Sequence, residues 1–213
     1  MTTKESNQGP HVVLLHGLWM NGLAMRYIGR RLKRTGYNVH YFSYKSIFSS
    51  SDDVLGHLQY LVEKCSDGPL YFVAHSLGGL LLLKYLQRYP ETEVMAAVLL
   101  ASPINGSQAA KSLARSFVGR FMLGKNRSLL ISGTEYSGKV KVGLITGRVG
   151  VGLGRLICKL DKPCDGAVSV NETRADWLCD HLVLKQNHAG ILFSPMAATN
   201  ILRFFSKYRF DHD

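Results

Sequence analysis

LYFVAHSLGGLLLLKYL, residues 70–86, changes its apolar period at the centre. Leu70–Ala74 reads as a buried strand, and Ser76–Tyr89 as a strongly apolar helix halted by Pro90. Between them lies Ala74-His75-Ser76-Leu77-Gly78-Gly79, a serine with small residues two before and two after it. In a tight strand-to-helix turn such a serine lifts its hydroxyl above the sheet edge, and the next amide, from Leu77, falls at a helix N-terminus. Ala74 stands where the usual pattern has glycine, a small residue for a small one. The plainer alternative is a serine N-cap beside a packing glycine.

The same alternation extends in both directions. His11–Leu15 reads as a strand and Gly22–Thr35 as a helix carrying Leu23, Tyr27, Ile28 and Leu32 at helical spacing, stopped by Gly36. Tyr37–Tyr44 is the next strand. Asp52 and Asp53 open a helix whose Val54, Leu55, Leu58, Leu61 and Val62 face inward, ending before Gly68-Pro69. Val94–Ala101 is a strand buried on both faces. A basic amphipathic helix is expected around Ala109–Met122 within a less regular stretch, residues 107–138. Lys139–Thr146 resumes as a strand, the glycine-rich segment Gly147–Gly154 leads to Asp161–Gly166, and His181–Lys185 is a last strand before a helix over Pro195–Tyr208. Strands alternating with helices predict an α/β fold with a mostly parallel sheet and helices on both faces. Residues 1–10 are expected to be a flexible polar N-terminus and 11–210 a single domain, with 102–138 a small lid-like insertion.

Composition agrees with a globular chain: of 213 residues 46% are apolar and 19% charged, which excludes disorder and fibrous repeats. The longest run free of polar side chains, Val94–Ala101, is far short of the roughly 18 needed to span a bilayer. Met1–Pro10 has no apolar signal core, so a cytoplasmic location is expected, with peripheral contact to a membrane as a further possibility. Twenty-six Lys and Arg against fifteen Asp and Glu give +11, a field that attracts anionic surfaces. The basic residues gather in Arg26–Arg34, in Lys111–Arg127 and at Arg203, Lys207 and Arg209. None of these stretches matches a nucleic-acid module, so no nucleic-acid partner is expected. Solvated helix faces and an anionic membrane surface are the two readings left. Cys65, Cys158, Cys164 and Cys179 form no CxxC pair, so no zinc site is expected, and the simplest reading is reduced, mostly buried thiols. Cys158 and Cys164 are near enough to close a short loop in an oxidising compartment.

Three further motifs join the Ser76 turn: His16-Gly17-Leu18-Trp19 after the first strand, Asp165-Gly166-Ala167-Val168 after a late one, and Asn187-His188-Ala189-Gly190-Ile191-Leu192 after the last. With them the chain resembles the α/β-hydrolases over nearly its whole length, and among these it is most similar to small bacterial lipases and esterases. The resemblance implies Ser76 as nucleophile, His188 as its base and Asp165 as the carboxylate orienting that base, in the chain order Ser, Asp, His. It also implies an oxyanion hole from the Leu18 and Leu77 amides, which the Gly17 turn permits. Asp161 and Glu135 are the rival carboxylates. Among the other histidines, His16, His75 and His181 read as structural, while Asp176 and Asp180 read as solvated, in or after a helix following Asp165.

The chemistry so implied is cleavage of a carboxylic ester, small or lipid, through an acyl-enzyme, with no metal or cofactor. Acyl transfer by the same residues and a non-catalytic lipid- or protein-binding module are the alternatives. Phe117, Phe121, Met122 and Leu123, interleaved with Lys111, Arg115, Arg120 and Lys125, form the stripe expected of an interfacial helix at an anionic membrane; packing into the core is the alternative.

Overall fold

The structure, a computed structural model, describes residues 9–65, 67–151 and 160–212. Most of the expected polar N-terminus, part of the glycine-rich segment and Cys158 lie outside them. Six parallel strands, β1 (His11–Leu15), β2 (Asn38–Phe42), β3 (Leu70–His75), β4 (Val94–Leu100), β5 (Lys141–Gly147) and β6 (Asp180–Leu184), form one sheet in the order β2-β1-β3-β4-β5-β6. The direction of winding reverses beside β1 and β3. That switch point is where the carboxyl ends of neighbouring strands open a crevice.

Alternate residues of each strand feed two cores, because side-chain direction has period two. Val12, Leu14, Val73 and Val98 face α1 (Arg26–Lys33) and the C-terminal helix α7 (Pro195–Lys207), where Ile28, Leu32, Ile201 and Phe204 are fully buried. Val13, Leu15, Phe72 and Leu99 face α2 (Ser51–Glu63) and α3 (Leu77–Arg88). The start of α2 is fixed by a capping box, with the Ser50 hydroxyl accepting from the Asp53 amide and the Asp53 carboxylate accepting from Ser50. Ser194 starts α7 as a plain N-cap, its hydroxyl accepting from the Ala197 amide, with Pro195 as the first helical residue.

The segment between β4 and β5 departs from the expected single helix. It holds three short helices, α4 (Gln108–Leu113), α5 (Phe117–Leu123) and α6 (Arg127–Ser132). The break falls at Ser116, whose hydroxyl caps α5 by accepting from the Gly119 amide. Gly119 presses onto the Leu113 carbonyl so closely that a β-carbon there would overlap it. The stripe divides between the two readings: Phe117 and Phe121 are exposed, while Leu123 packs into the core, since six residues on in a helix lies on the far side. Asp180 also differs from expectation, since no full helix precedes it and it opens β6. Its carboxylate accepts from the Phe210 and His181 amides and pairs with His212, tying down the chain after α7. No helix among the described residues is long and apolar enough to cross a membrane.

Candidate active site

β3 runs straight into Ser76, which has φ 52° and ψ −119°, a conformation that side chains other than glycine rarely adopt. The surroundings force it. The Ser76 amide donates to the Leu100 carbonyl on β4, while α3 must start at once and close to the loop after β1. A β-carbon on Gly78 would lie 2.5 Å from the His16 carbonyl oxygen, and one on Gly79 would overlap the Ser102 side chain. The small residues after the serine therefore let the helix seat between two loops. Gly17 answers from the other side: a β-carbon there would lie 2.8 Å from His75 Nδ1 and 3.1 Å from Ser76 Cβ.

The loop carrying Gly17 is held by a histidine engaged through both ring nitrogens. His16 Nδ1 donates to the Gly17 carbonyl at 2.8 Å, its Nε2 accepts from the Tyr44 amide at 3.2 Å, and its ring stacks on Tyr44 with centroids 4.2 Å apart. Burial lowers its pKa, so it stays neutral in this role. The next residue, Leu18, reaches the pocket over Ser76. Among the described residues neither the Leu18 nor the Leu77 amide has a protein acceptor, although buried amides nearly always find one.

His188 comes from the loop after β6. Its Nε2 is 3.2 Å from Ser76 Oγ, and its Nδ1 is 2.8 Å from Asp165 Oδ2. A carboxylate only accepts, so the proton sits on Nδ1 and Nε2 is left to receive the serine O–H. Asp165 is wholly buried; its other oxygen, Oδ1, accepts from the Ala167 and Val168 amides at 2.9 and 2.7 Å. Gly166, at φ 96°, makes the turn that aims those amides back. The His188 amide in turn donates to the Asp165 carbonyl. The rivals stand apart: Asp161 binds the Gln108 side chain, and Glu135 is exposed.

His75, fully buried, donates from Nε2 to the His188 carbonyl at 3.0 Å and leaves Nδ1 without a partner. Its pKa is pushed down to about 3, by burial first and by the neighbouring His188 second, so it remains a neutral prop for the His188 loop. His181 makes a structural bond to Thr173 Oγ1 at 2.9 Å, and its pKa falls to about 4, by burial and then by Arg174.

Sequence reasoning missed Glu172. This buried carboxylate accepts from the Gln108 amide at the start of α4 at 2.5 Å and from the Ser169 amide at 2.6 Å, joining the segment between β4 and β5 to the Asp165 loop. Ser169-Val-Asn-Glu172 is itself a capping box, and that spacing was the available signal.

Above Ser76 opens a cavity of about 360 Å³. Its walls are Leu18, Trp19 and Met20 from the β1 loop, Pro103, Ala109, Ala110, Leu113, Leu123 and Leu130 from the segment between β4 and β5, and Val168 beside Asp165; its polar lining is Ser76, His75, His188, Asn187 and Ser107. A largely apolar chamber with Ser76 and His188 opening into it suits a ligand with a hydrocarbon part and a reactive centre.

The alpha/beta hydrolase fold family model matches residues 10–156, and the chain belongs to that family. Methylesterase 17 of Arabidopsis thaliana is 32% identical over 121 residues, which cover 52% of this chain and 44% of the relative. The match thus spans less than half of that curated protein. Among solved structures, the mature form of a Bacillus licheniformis lipase superposes with TM-score 0.71 at 17% identity, covering 93% of this chain and 91% of that one. A metagenomic carboxyl esterase superposes equally, at 18% identity over 94% of this chain and 76% of its own. At such identities the likeness speaks to the fold.

Proposed function

We propose that the protein is a carboxylic ester hydrolase working through an acyl-enzyme on Ser76. The observation that carries this reading is the unbroken hydrogen-bonded line from Ser76 through His188 to buried Asp165, opening on an apolar cavity. In the proposed reaction His188 Nε2 takes the proton as Ser76 Oγ attacks the ester carbonyl, and Asp165 steadies the resulting imidazolium. The Leu18 and Leu77 amides receive the oxyanion. His188 returns the proton to the departing alcohol. Water, activated by the same ring, then releases the acid and restores the serine. The walls of the cavity favour an apolar acyl group of moderate length; ester cleavage itself is in keeping with the similar methylesterase and lipase.

The decisive experiment is labelling with a fluorophosphonate, read by intact mass, alongside hydrolysis of a short-chain aryl ester. One adduct per chain, absent from folded Ser76→Ala, is the expected result. Labelling that persists in that variant, or a wild-type protein neither labelled nor hydrolytic, would overturn the assignment.

An anionic membrane is the proposed source of lipid substrates. Phe117, Val118 and Phe121 on α5 and Phe48 beside it are all exposed, and Arg120, Lys125 and Arg127 border the same shallow groove. Apolar side chains ringed by cations match a surface of anionic headgroups over hydrocarbon.

A further inference from the structure

At the opposite end of the sheet from Ser76, three residues far apart in sequence converge: His11 at the start of β1, His40 on the edge strand β2, and Cys65 just after α2. One donor atom from each lies within 4.8 Å of the others. His11 Nδ1 and His40 Nε2 face each other at 2.8 Å, and the rings stack with centroids 5.1 Å apart and planes 20° off parallel. The register explains the pairing, because His40 aligns with Val13 and so sits on the same sheet face as His11, one step along. Cys65 closes the group from the helix layer above that face, where it is buried. Nothing in the proposed reaction uses these groups: six residues of β3 and its turn, about 20 Å of extended chain, separate this end of the sheet from Ser76.

The far side of His11 supplies an independent sign. Its Nε2 is buried without a hydrogen bond, yet lies 2.7 Å from Asp67 Oδ1. A carboxylate beside the outer nitrogen of an imidazole is the usual partner that turns a metal-bound histidine and fixes its tautomer. His40 is half-buried and Asp67 exposed, so the cluster communicates with solvent along one side.

We propose that His11, His40 and Cys65 bind a zinc ion, with Asp67 orienting His11 and water completing a tetrahedral shell. Two imidazoles and a thiolate are the donors that zinc prefers, at about 2.0–2.1 Å for nitrogen and 2.3 Å for sulfur. Binding replaces the His11–His40 hydrogen bond: the histidine that donates in it shifts its proton to its other ring nitrogen, so that His11 Nδ1 and His40 Nε2 both offer lone pairs, and the Cys65 thiol releases its proton to solvent. The ion then clamps β1, the edge strand β2 and the end of α2, which is a stabilising role away from the hydrolytic chemistry.

The test uses untagged full-length protein dialysed against a chelator and then titrated with zinc chloride. The expected result is one equivalent bound by calorimetry and a rise in Tm of about 5 °C at saturation. Cobalt chloride in place of zinc should give a thiolate-to-cobalt charge-transfer band. His40→Gln, on a half-buried edge position, and Cys65→Ser should each weaken binding at least tenfold and abolish the Tm rise, while Cys179→Ser, at an exposed thiol, leaves both unchanged. If Cys65→Ser does not fold, His40→Gln alone decides. Absence of binding to the wild-type protein, or binding and a cobalt band that survive in His40→Gln or Cys65→Ser, would overturn the proposal.

Discussion

Each member of the Ser76–His188–Asp165 line has its own expected signature on substitution. Ser76→Ala and His188→Ala should each lower kcat on an aryl ester by at least about 10³-fold, with unchanged circular dichroism, because the fold rests on the sheet and not on these side chains. Asp165→Asn should cost about 10⁴-fold, since an amide opposite Nδ1 favours the wrong tautomer. Asp161→Asn should keep near-wild-type turnover; the reverse result for these two variants would show that the wrong carboxylate had been chosen. Glu172 has a different signature. Burial raises its pKa, yet its carboxylate satisfies the Gln108 and Ser169 amides, so Glu172→Ala should cost about 2 kcal/mol and lower Tm by roughly 5 °C. A Tm unchanged within 1 °C, roughly the precision of such scans, would mean that those amides find other acceptors.

Helix α5 is where the charge of the chain becomes a testable surface. Sedimentation with phosphatidylserine-containing vesicles should be strong at low salt and weak at high salt. Arg120→Glu with Lys125→Glu should weaken it at least tenfold, each basic residue near such a surface contributing roughly 1 kcal/mol. Equal, weak binding to neutral and anionic vesicles would leave this basic rim as a solvated face. The same segment marks the limit of what the sequence discloses. β1, β3, β4 and α3 were legible because strands buried on both faces read as continuous apolar runs and because Pro90 and the glycines punctuate them. The serine, aspartate and histidine motifs were legible because each sits just beyond an apolar strand or in a glycine turn. The break at Ser116 was not, since the apolar spacing carries across it and the only local mark is a serine N-cap, whose hydroxyl accepts from the Gly119 amide. His11, His40 and Cys65 were equally hidden, because it takes strand register to pair the histidines and the packing of the end of α2 on the sheet to add the cysteine.

For the whole molecule, buried neutral histidines set the response to acid. His75 is held down to about 3 and His181 to about 4, each chiefly by burial, and His16 is lowered by the same cause. The unfolded chain protonates these rings near pH 6.5 while the native state does not, so the unfolded state binds more protons and stability rises with pH. Their contribution is complete above about pH 6.5 and is lost as the pH falls below it, down to about 4 for His181 and about 3 for His75, on the order of several kcal/mol in total. Glu172 opposes this over a narrower range, its raised pKa favouring the acid form in the native state. Urea midpoints at pH 7.5, 5.5 and 4.5 should fall in that order; a flat series would mean that these rings take up protons in place. The segment over the cavity is fastened at three separate points: Trp19 Nε1 donates to the Met122 carbonyl, Asn126 binds the Ser46 and Ser49 carbonyls, and Glu172 holds the Gln108 amide. A cover fastened at three points is expected to stay in place. Turnover on dispersed lipid should therefore climb smoothly with the fraction of enzyme adsorbed, without a lag and without a breakpoint where the substrate begins to form aggregates.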